Sequence, residues 1–259
     1  MSARLARGAC RCLADFMDDQ ATLSQAMTPK PKTAKTAEAA GRSAAAKAAE
    51  GSEATVVVFV RHGQTPTTGA VLPGRAPGLH LSTEGAAQAQ RAAQRLGALG
   101  RVKAIYASPM ERTLETAGPI AKACKLRVRR SSGLIECDFG RWTGRKLHHL
   151  RRRKEWAAVQ HHPSGFRFPG GESFAEMQAR ALEAVSAMCA RHPGEVVVAV
   201  SHADVIKAIA ASAAGTPLDL FQRIVVSPCS LTVIAYNSSG PTLLSLNNTG
   251  DDLSPLAGA

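Results

Sequence analysis

Aromatic residues are scarce in this 259-residue chain: two Trp, two Tyr and seven Phe. Binders of single-stranded nucleic acid usually present aromatic faces on which bases stack. No aromatic-rich platform accompanies the basic runs here, so nucleic acid is not the expected partner. Long hydrophobic runs are also missing. No stretch approaches the roughly 18 apolar residues of a membrane-spanning helix, and the N-terminal region has no secretory apolar core. Arg4, Arg7 and Arg11 look like a transit peptide, but Asp15, Asp18 and Asp19 oppose that reading. Cysteines seldom come close together. Of the six, at 10, 12, 124, 137, 189 and 229, only Cys10 and Cys12 are neighbours, and C-x-C without a second pair is a poor zinc ligand set. The other four read as buried free thiols of a reducing, cytoplasmic protein. Acidic residues are the minority charge, 20 against 32 Lys and Arg, leaving a net charge of +12 that favours anionic partners.

Composition changes along the chain. Residues 1–54 are rich in Ala, Lys, Thr and Glu and hold few large apolar residues, so they are expected to be disordered. From Thr55 the pattern is dense. TVVVFV, at 55–60, is a β-branched run with no polar alternation, the mark of a strand buried on both faces. EVVVAVS, from Glu195, is a second such run. Helices are expected over 83–99, 110–123, 147–160, 173–191 and 205–214, the fourth opening on the capping-box pair Ser173 and Glu176. Further strands are expected at AIYAS, LRVRR, RIVVS, SLTVIAY and TLLSL, starting at residues 104, 126, 223, 230 and 242. Alternating strands and helices predict a three-layer α/β/α sandwich: a mostly parallel central sheet, one antiparallel edge, and a basic helical lid insertion. The domain spans 55–250, with the lid at about 138–172 and a flexible tail at 251–259.

Two features converge on one edge. VVVFV runs into Arg61, His62 and Gly63; VVVAV runs into Ser201 and His202. In open α/β sheets, ligands bind outside the carboxyl ends of the strands. If the two strands are parallel, both histidines stand on the same rim. Arg112, in the first turn of the helix after AIYAS, opens on that rim too. Arg61, Arg112, His62 and His202 then form a pocket rich in positive charge and donors, suited to the oxygens of a phosphate group.

The motifs RHGQT at 61–65, SPMERTLETA from Ser108, LIECDFGRWTGRKL from Leu134, PGGESF from Pro169 and VAVSHADVIK around His202 together resemble the histidine phosphatase superfamily, the phosphoglycerate-mutase-like fold. The resemblance covers roughly residues 55–246, and is greatest toward an actinobacterial group of phosphomutase- or phosphatase-like proteins. It implies that His62 is a nucleophile that becomes phosphorylated, while Arg61, Arg112 and His202 clamp the phosphoryl oxygens. It makes Glu136 the proton donor to the leaving oxygen, with Asp138 the local rival. Gln64 and Thr65 would support the phosphate pocket. Thr68 stands where the mutases carry Asn. Gly74 and Arg75 lie on a loop over the rim, where Arg75 either meets substrate or is solvated.

The implied activity is a metal-independent phosphatase acting on a small phosphorylated metabolite through phosphohistidine, with no cofactor and no metal ligands. A phosphomutase transferring phosphate between hydroxyls is the alternative, and a non-catalytic nucleic-acid-binding protein the remote one. The basic run from Arg141 to Lys154 would steer an anion inward or simply be solvated. His161 and His162 are expected to hydrogen-bond rather than hold a metal. A homo-oligomer is compatible with the sequence.

Overall fold

A computed structural model describes residues 54–250. The disordered extension expected over 1–54, apart from Ala54, and the tail expected over 251–259 lie outside the described residues.

Eight strands and six helices make up the described part. They are β1 (Thr55–Arg61), β2 (Val71–Leu72), α1 (Thr83–Ala98), β3 (Val102–Ala107), α2 (Glu111–Cys124), β4 (Val128–Arg130), β5 (Arg145–Lys146), α3 (Leu147–Leu150), α4 (Glu155–His161), α5 (Phe174–Arg191), β6 (Val196–Ser201), α6 (Ala203–Ala213), β7 (Leu231–Asn237) and β8 (Gly240–Asn248). The main sheet runs β4-β3-β6-β1-β7-β8. Its first four strands are parallel, and β7 and β8 close one side antiparallel.

The absence of polar alternation in β1 has a direct cause. Val56, Val58 and Val60 enter one core with Ala93 and Leu96 of α1 and Ala117 and Ile120 of α2. Val57 and Phe59 enter the other, with Met177 and Val185 of α5 and Ile206 and Ile209 of α6. Both faces of the strand are dry, so every position must be apolar. Each fully buried valine contributes roughly 1.5–3 kcal/mol. Val56 to Arg61 of β1 lie opposite Val196 to Ser201 of β6. The ends of the two strands are therefore level.

Helix starts obey their local signals. Ser82 caps α1 by accepting from Gly85 N at 3.0 Å. Ser173 and Glu176 form the full reciprocal capping box of α5.

Three expected elements differ. The helix predicted over 147–160 is broken into α3 and α4 by a turn at Arg151–Lys154, where a continuous helix would stack like charges three residues apart. RIVVS is not a strand: Val225 is 65% exposed, the Val226 carbonyl accepts from Arg61, and Ser227 N donates to Asn247. LRVRR pairs only over β4, at the sheet edge, with Arg129 and Arg130 in solvent. The segment expected as a lid holds β5, α3 and α4, and β5 pairs with β2 beside the rim. Among the described residues, no helix is long and apolar enough to cross a membrane.

Candidate active site

Because β1 and β6 are level, His62 and His202 emerge side by side, ring centroids 5.3 Å apart. Gly63 then lets the chain turn against α1: a Cβ there would stand 2.5 Å from the Gly85 carbonyl oxygen. The turn is held by Gly63 N donating to Thr116 Oγ1 at 3.0 Å. Thr116 in turn donates to the Arg112 carbonyl one helical turn earlier, so the same α2 face carries both the anchor and the cation.

His62 Nδ1 is 2.8 Å from the Gly63 carbonyl, an atom that can only accept. The proton therefore sits on Nδ1 and the lone pair on Nε2. Burial, then the charges of Arg112 and Arg61, push the His62 pKa down to about 3, so the ring is neutral at physiological pH.

His202 is fully buried. Arg112 Nη2, which can only donate, lies 3.2 Å from His202 Nδ1. His202 Nε2 must then carry its proton and donate to Ser108 Oγ at 2.8 Å. Burial and the Arg112 charge hold its pKa well below 6.5. The geometry therefore selects the neutral ring.

Arg112 is fully buried, yet its Nε and Nη1 have no hydrogen-bond partner among the described residues. Nη2 is held by the Gly74 carbonyl at 2.9 Å. Arg61 is similar: Nη1 donates to the Val226 carbonyl at 2.7 Å, and buried Nε has no partner among the described residues. Buried N–H groups left open are costly, and here they belong to two cations flanking a neutral imidazole.

Glu136 lies across from them. Its Oε2 is 3.8 Å from His202 Nδ1, and Oε1 accepts from Cys137 N at 3.0 Å. Burial first, then the nearby Asp204 charge, pushes its pKa up to about 7, against the pull of Arg112. Asp138 instead turns its carboxylate to Gly140 N and is the more exposed of the two. A cleft of about 380 Å³ is lined by Arg61, His62, Thr65, Thr68 and Glu136 on one side and Asp204, Lys207 and Gln222 on another. A second hollow of about 460 Å³ shares Leu72, Phe139, Leu147 and Lys207 with it and adds Arg151 and Trp156 of the lid segment.

The model of the histidine phosphatase superfamily (branch 1) matches residues 57–249. The chain belongs to the histidine phosphatase superfamily. Among its relatives, an uncharacterised protein of Mycobacterium tuberculosis is 39% identical over 153 residues, 58% of this chain and 74% of that one. Phosphoserine phosphatase 1 of Hydrogenobacter thermophilus is 30% identical over 198 residues, 74% of this chain and 92% of that one. A solved structure of mycobacterial glucosyl-3-phosphoglycerate phosphatase superposes with a TM-score of 0.69 at 25% identity, covering 76% of this chain and all of that one.

Within this histidine phosphatase fold, the residues expected at the site separate into four groups. Arg61, His62, Arg112, Glu136 and His202 stand together. Thr65 and Thr68 join the cleft wall, their hydroxyls 3.0 Å apart, with Thr65 N donating to Thr68 Oγ1 at 2.8 Å. Gln64 is used through its backbone, its carbonyl taking Ser82 N and its N–H going to Gln88 Oε1. Gly74 serves Arg112 through its carbonyl. Arg75 does not hang in solvent: Nε donates to the Glu136 carbonyl at 2.8 Å, and Nη2 to Glu172 Oε2 at 3.0 Å. Ser108, Thr116, Asp204, Lys207, Glu172 and Arg180 carry no role in the sequence reading, although all but Arg180 lie within a quoted motif. Thr116, four residues after Arg112, was readable as sharing its helix face.

Proposed function

We propose that this member of the superfamily is a phosphoric monoester hydrolase that uses His62 as its nucleophile. One observation carries the reading. A neutral imidazole with a free Nε2 stands beside the guanidinium groups of Arg61 and Arg112, whose buried Nε atoms, and Nη1 of Arg112, have no hydrogen-bond partner among the described residues. Arg112 and Arg61 would receive phosphoryl oxygens, and their charges need no metal ion to balance the developing negative charge.

His62 Nε2 attacks phosphorus as the ester P–O bond breaks, and the Glu136 carboxyl proton passes to the departing oxygen. A water molecule then gives a proton to the Glu136 carboxylate and attacks the phosphorus, breaking the P–N bond. Phosphate and free His62 result, and Glu136 is again protonated. An acid with a pKa near 7 can serve both halves of this cycle. His202 has no proton to offer on Nδ1 in the unliganded protein. The charge of the bound ester would raise its proton affinity; a protonated Nδ1 would then have to give up the donor it meets in Arg112 Nη2 and turn to a phosphoryl oxygen, while Nε2–H stays on Ser108.

The leaving group departs toward the second hollow, where Trp156 and Leu147 offer apolar faces and the Lys207–Asp204 ion pair a polar one. The space suits a small phosphorylated metabolite. The free thiols Cys124, Cys137, Cys189 and Cys229 suit a reducing cytoplasm.

A panel of phosphorylated metabolites, read for both free phosphate and isomeric ester, tests the proposal. Free phosphate is expected. An isomeric ester without phosphate would make the protein a mutase. No turnover, with salt-sensitive DNA binding, would remove it from catalysis.

A further inference from the structure

Glu136 sits on an irregular loop, not on a strand or helix, so something else must fix it. Its backbone carbonyl is gripped twice, by Arg75 Nε at 2.8 Å and by Arg180 Nη2 at 3.1 Å. Both guanidinium groups are paired to the Glu172 carboxylate, and Arg75 Nη1 also lies 3.8 Å from Asp138 Oδ2. Glu172 Oε2 takes Arg75 Nη2 and Arg180 Nη2, each at 3.0 Å, and Glu172 Oε1 takes Arg180 Nε at 2.6 Å. Glu172 Oε2 also accepts from Asp138 N at 3.2 Å, two residues past Glu136. Arg180 Nη1 closes the set on the Gly133 carbonyl at 2.9 Å, just before Glu136.

The carboxylate at the centre is itself anchored. Glu172 directly precedes Ser173, the cap of α5, and Glu172 N donates to the Asp138 carbonyl at 2.9 Å. The Glu136 and Glu172 loops lie against each other with no room for side chains. A Cβ on Gly171 would stand 2.3 Å from the Asp138 carbonyl oxygen, and one on Gly140 2.4 Å from that of Pro169. None of Arg75, Glu172 or Arg180 lines the cleft. Their forks grip backbone on both sides of Glu136 and leave its carboxyl free to face His202.

We infer that Arg75, Glu172 and Arg180 form a clamp whose work is to position the Glu136 carboxyl for proton transfer to the leaving oxygen. The inference rests on the hydrolase reading above. Glu172 supplies the charge that keeps both guanidinium groups in place, and removing it would free the Glu136 loop without altering the phosphate pocket. Misplacement of a catalytic group by about 1 Å can cost on the order of 100-fold.

The test exploits how much each leaving group needs a proton. A p-nitrophenolate departs unaided; an alkoxide does not. The ratio kcat/KM is the right quantity, because it reports phosphoryl transfer and not the later hydrolysis of phosphohistidine. In Glu172→Gln and in Arg75→Met, kcat/KM for an alkyl phosphate is expected to fall about 10–100-fold, while that for p-nitrophenyl phosphate changes by less than about threefold. In a Glu136→Gln background, Glu172→Gln is expected to add nothing to the alkyl loss, since the group it positions is gone. Equal losses on both esters in the folded variants, or full additivity with Glu136→Gln, would overturn the clamp and leave the hydrolase reading intact. If Glu172→Gln fails to fold by circular dichroism, Arg75→Met carries the test alone, because it leaves the Arg180–Glu172 pair standing. A wild-type protein inert toward both esters would overturn the hydrolase reading and the clamp with it.

Discussion

Removing Arg112 should abolish catalysis and yet cost the unliganded protein little stability. In the absence of an anion the guanidinium is fully buried, and two of its nitrogens lack partners among the described residues. Its nearest carboxylate, Glu136, is largely protonated below its pKa of about 7 and offers little compensation. Burial lowers the Arg112 pKa, the expected direction for a cation held in a poor medium. Replacing a whole buried ion pair with apolar residues of similar volume is often stabilising by about 1–4 kcal/mol, and with Glu136 protonated, Arg112→Met leaves no ionised partner behind. The variant also forfeits the bonds to the Gly74 carbonyl and to His202 Nδ1, which together cost about 1–3 kcal/mol. The net lies between about −2 and +3 kcal/mol in the variant's favour, close to zero. At roughly 2–4 °C per kcal/mol for a domain of this size, Tm should stay within a few degrees of wild type. Inorganic phosphate should separate the two proteins. At about 100 times its Kd a ligand adds roughly 2.7 kcal/mol, and the variant should gain almost none of it. Scanning calorimetry at pH 6, with and without phosphate, reads all four values. A phosphate-free Tm several degrees below wild type would refute the idea of a strained buried cation, and an equal phosphate gain in both proteins would refute its role in anion binding.

The other predictions concern protons, metal and the lid. Glu136→Gln should lower kcat/KM for an alkyl phosphate by about 10²–10⁴-fold, and the wild-type activity should fall as pH rises through about 7, where the acid is lost; an unchanged alkaline limb in the variant would reassign that acid. His62 has a folded pKa of about 3, below its ordinary 6.5, so the unfolded chain binds the extra proton and this stability is present above pH 6.5 and lost as pH falls toward 3. Glu136 has the opposite sign, its folded pKa of about 7 exceeding its ordinary 4.5, so its contribution is present below pH 4.5 and lost as pH rises to 7. Urea titrations at pH 5 and 7.5 should therefore show Glu136→Gln gaining on wild type at the higher pH, and a gain at the lower pH would contradict the assignment. Phosphate binding should take up a proton as His202 becomes charged; calorimetry in two buffers of different ionisation enthalpy would show no buffer dependence if His202 stays neutral. Turnover should survive excess chelator, and Trp156→Ala should raise KM for bulky esters more than for small ones; equal effects would remove the second hollow from substrate binding.

What could be read from the sequence was whatever repeats a physical pattern. A strand dry on both faces must be apolar at every position, so TVVVFV and VVVAV announced the central parallel pair, and with it the shared rim of His62 and His202. The first-turn placement of Arg112 followed from the same topology. Contacts that depend on irregular backbone gave no such signal. The basic run at 151–154 reads as helix in a pattern of apolar spacing, but like charges break it. RIVVS has strand composition, yet its Val226 carbonyl is taken by Arg61 in a way no local rule reveals. Arg75 read as a rim residue because its partner Glu172 lies 97 positions away. The protonation of His202 was hidden for the same reason: it is set by Ser108 and Arg112, each about 90 residues distant.

The claim on which the account depends is that His62 Nε2 carries the phosphoryl group between its two transfers. Rapid quench of the protein with a turned-over phosphate ester, followed by peptide mapping under alkaline conditions, measures it directly. The account predicts an acid-labile phosphate adduct on the peptide bearing His62, appearing before free phosphate and absent in His62→Asn. An adduct on another residue, or steady turnover by His62→Asn, would contradict it.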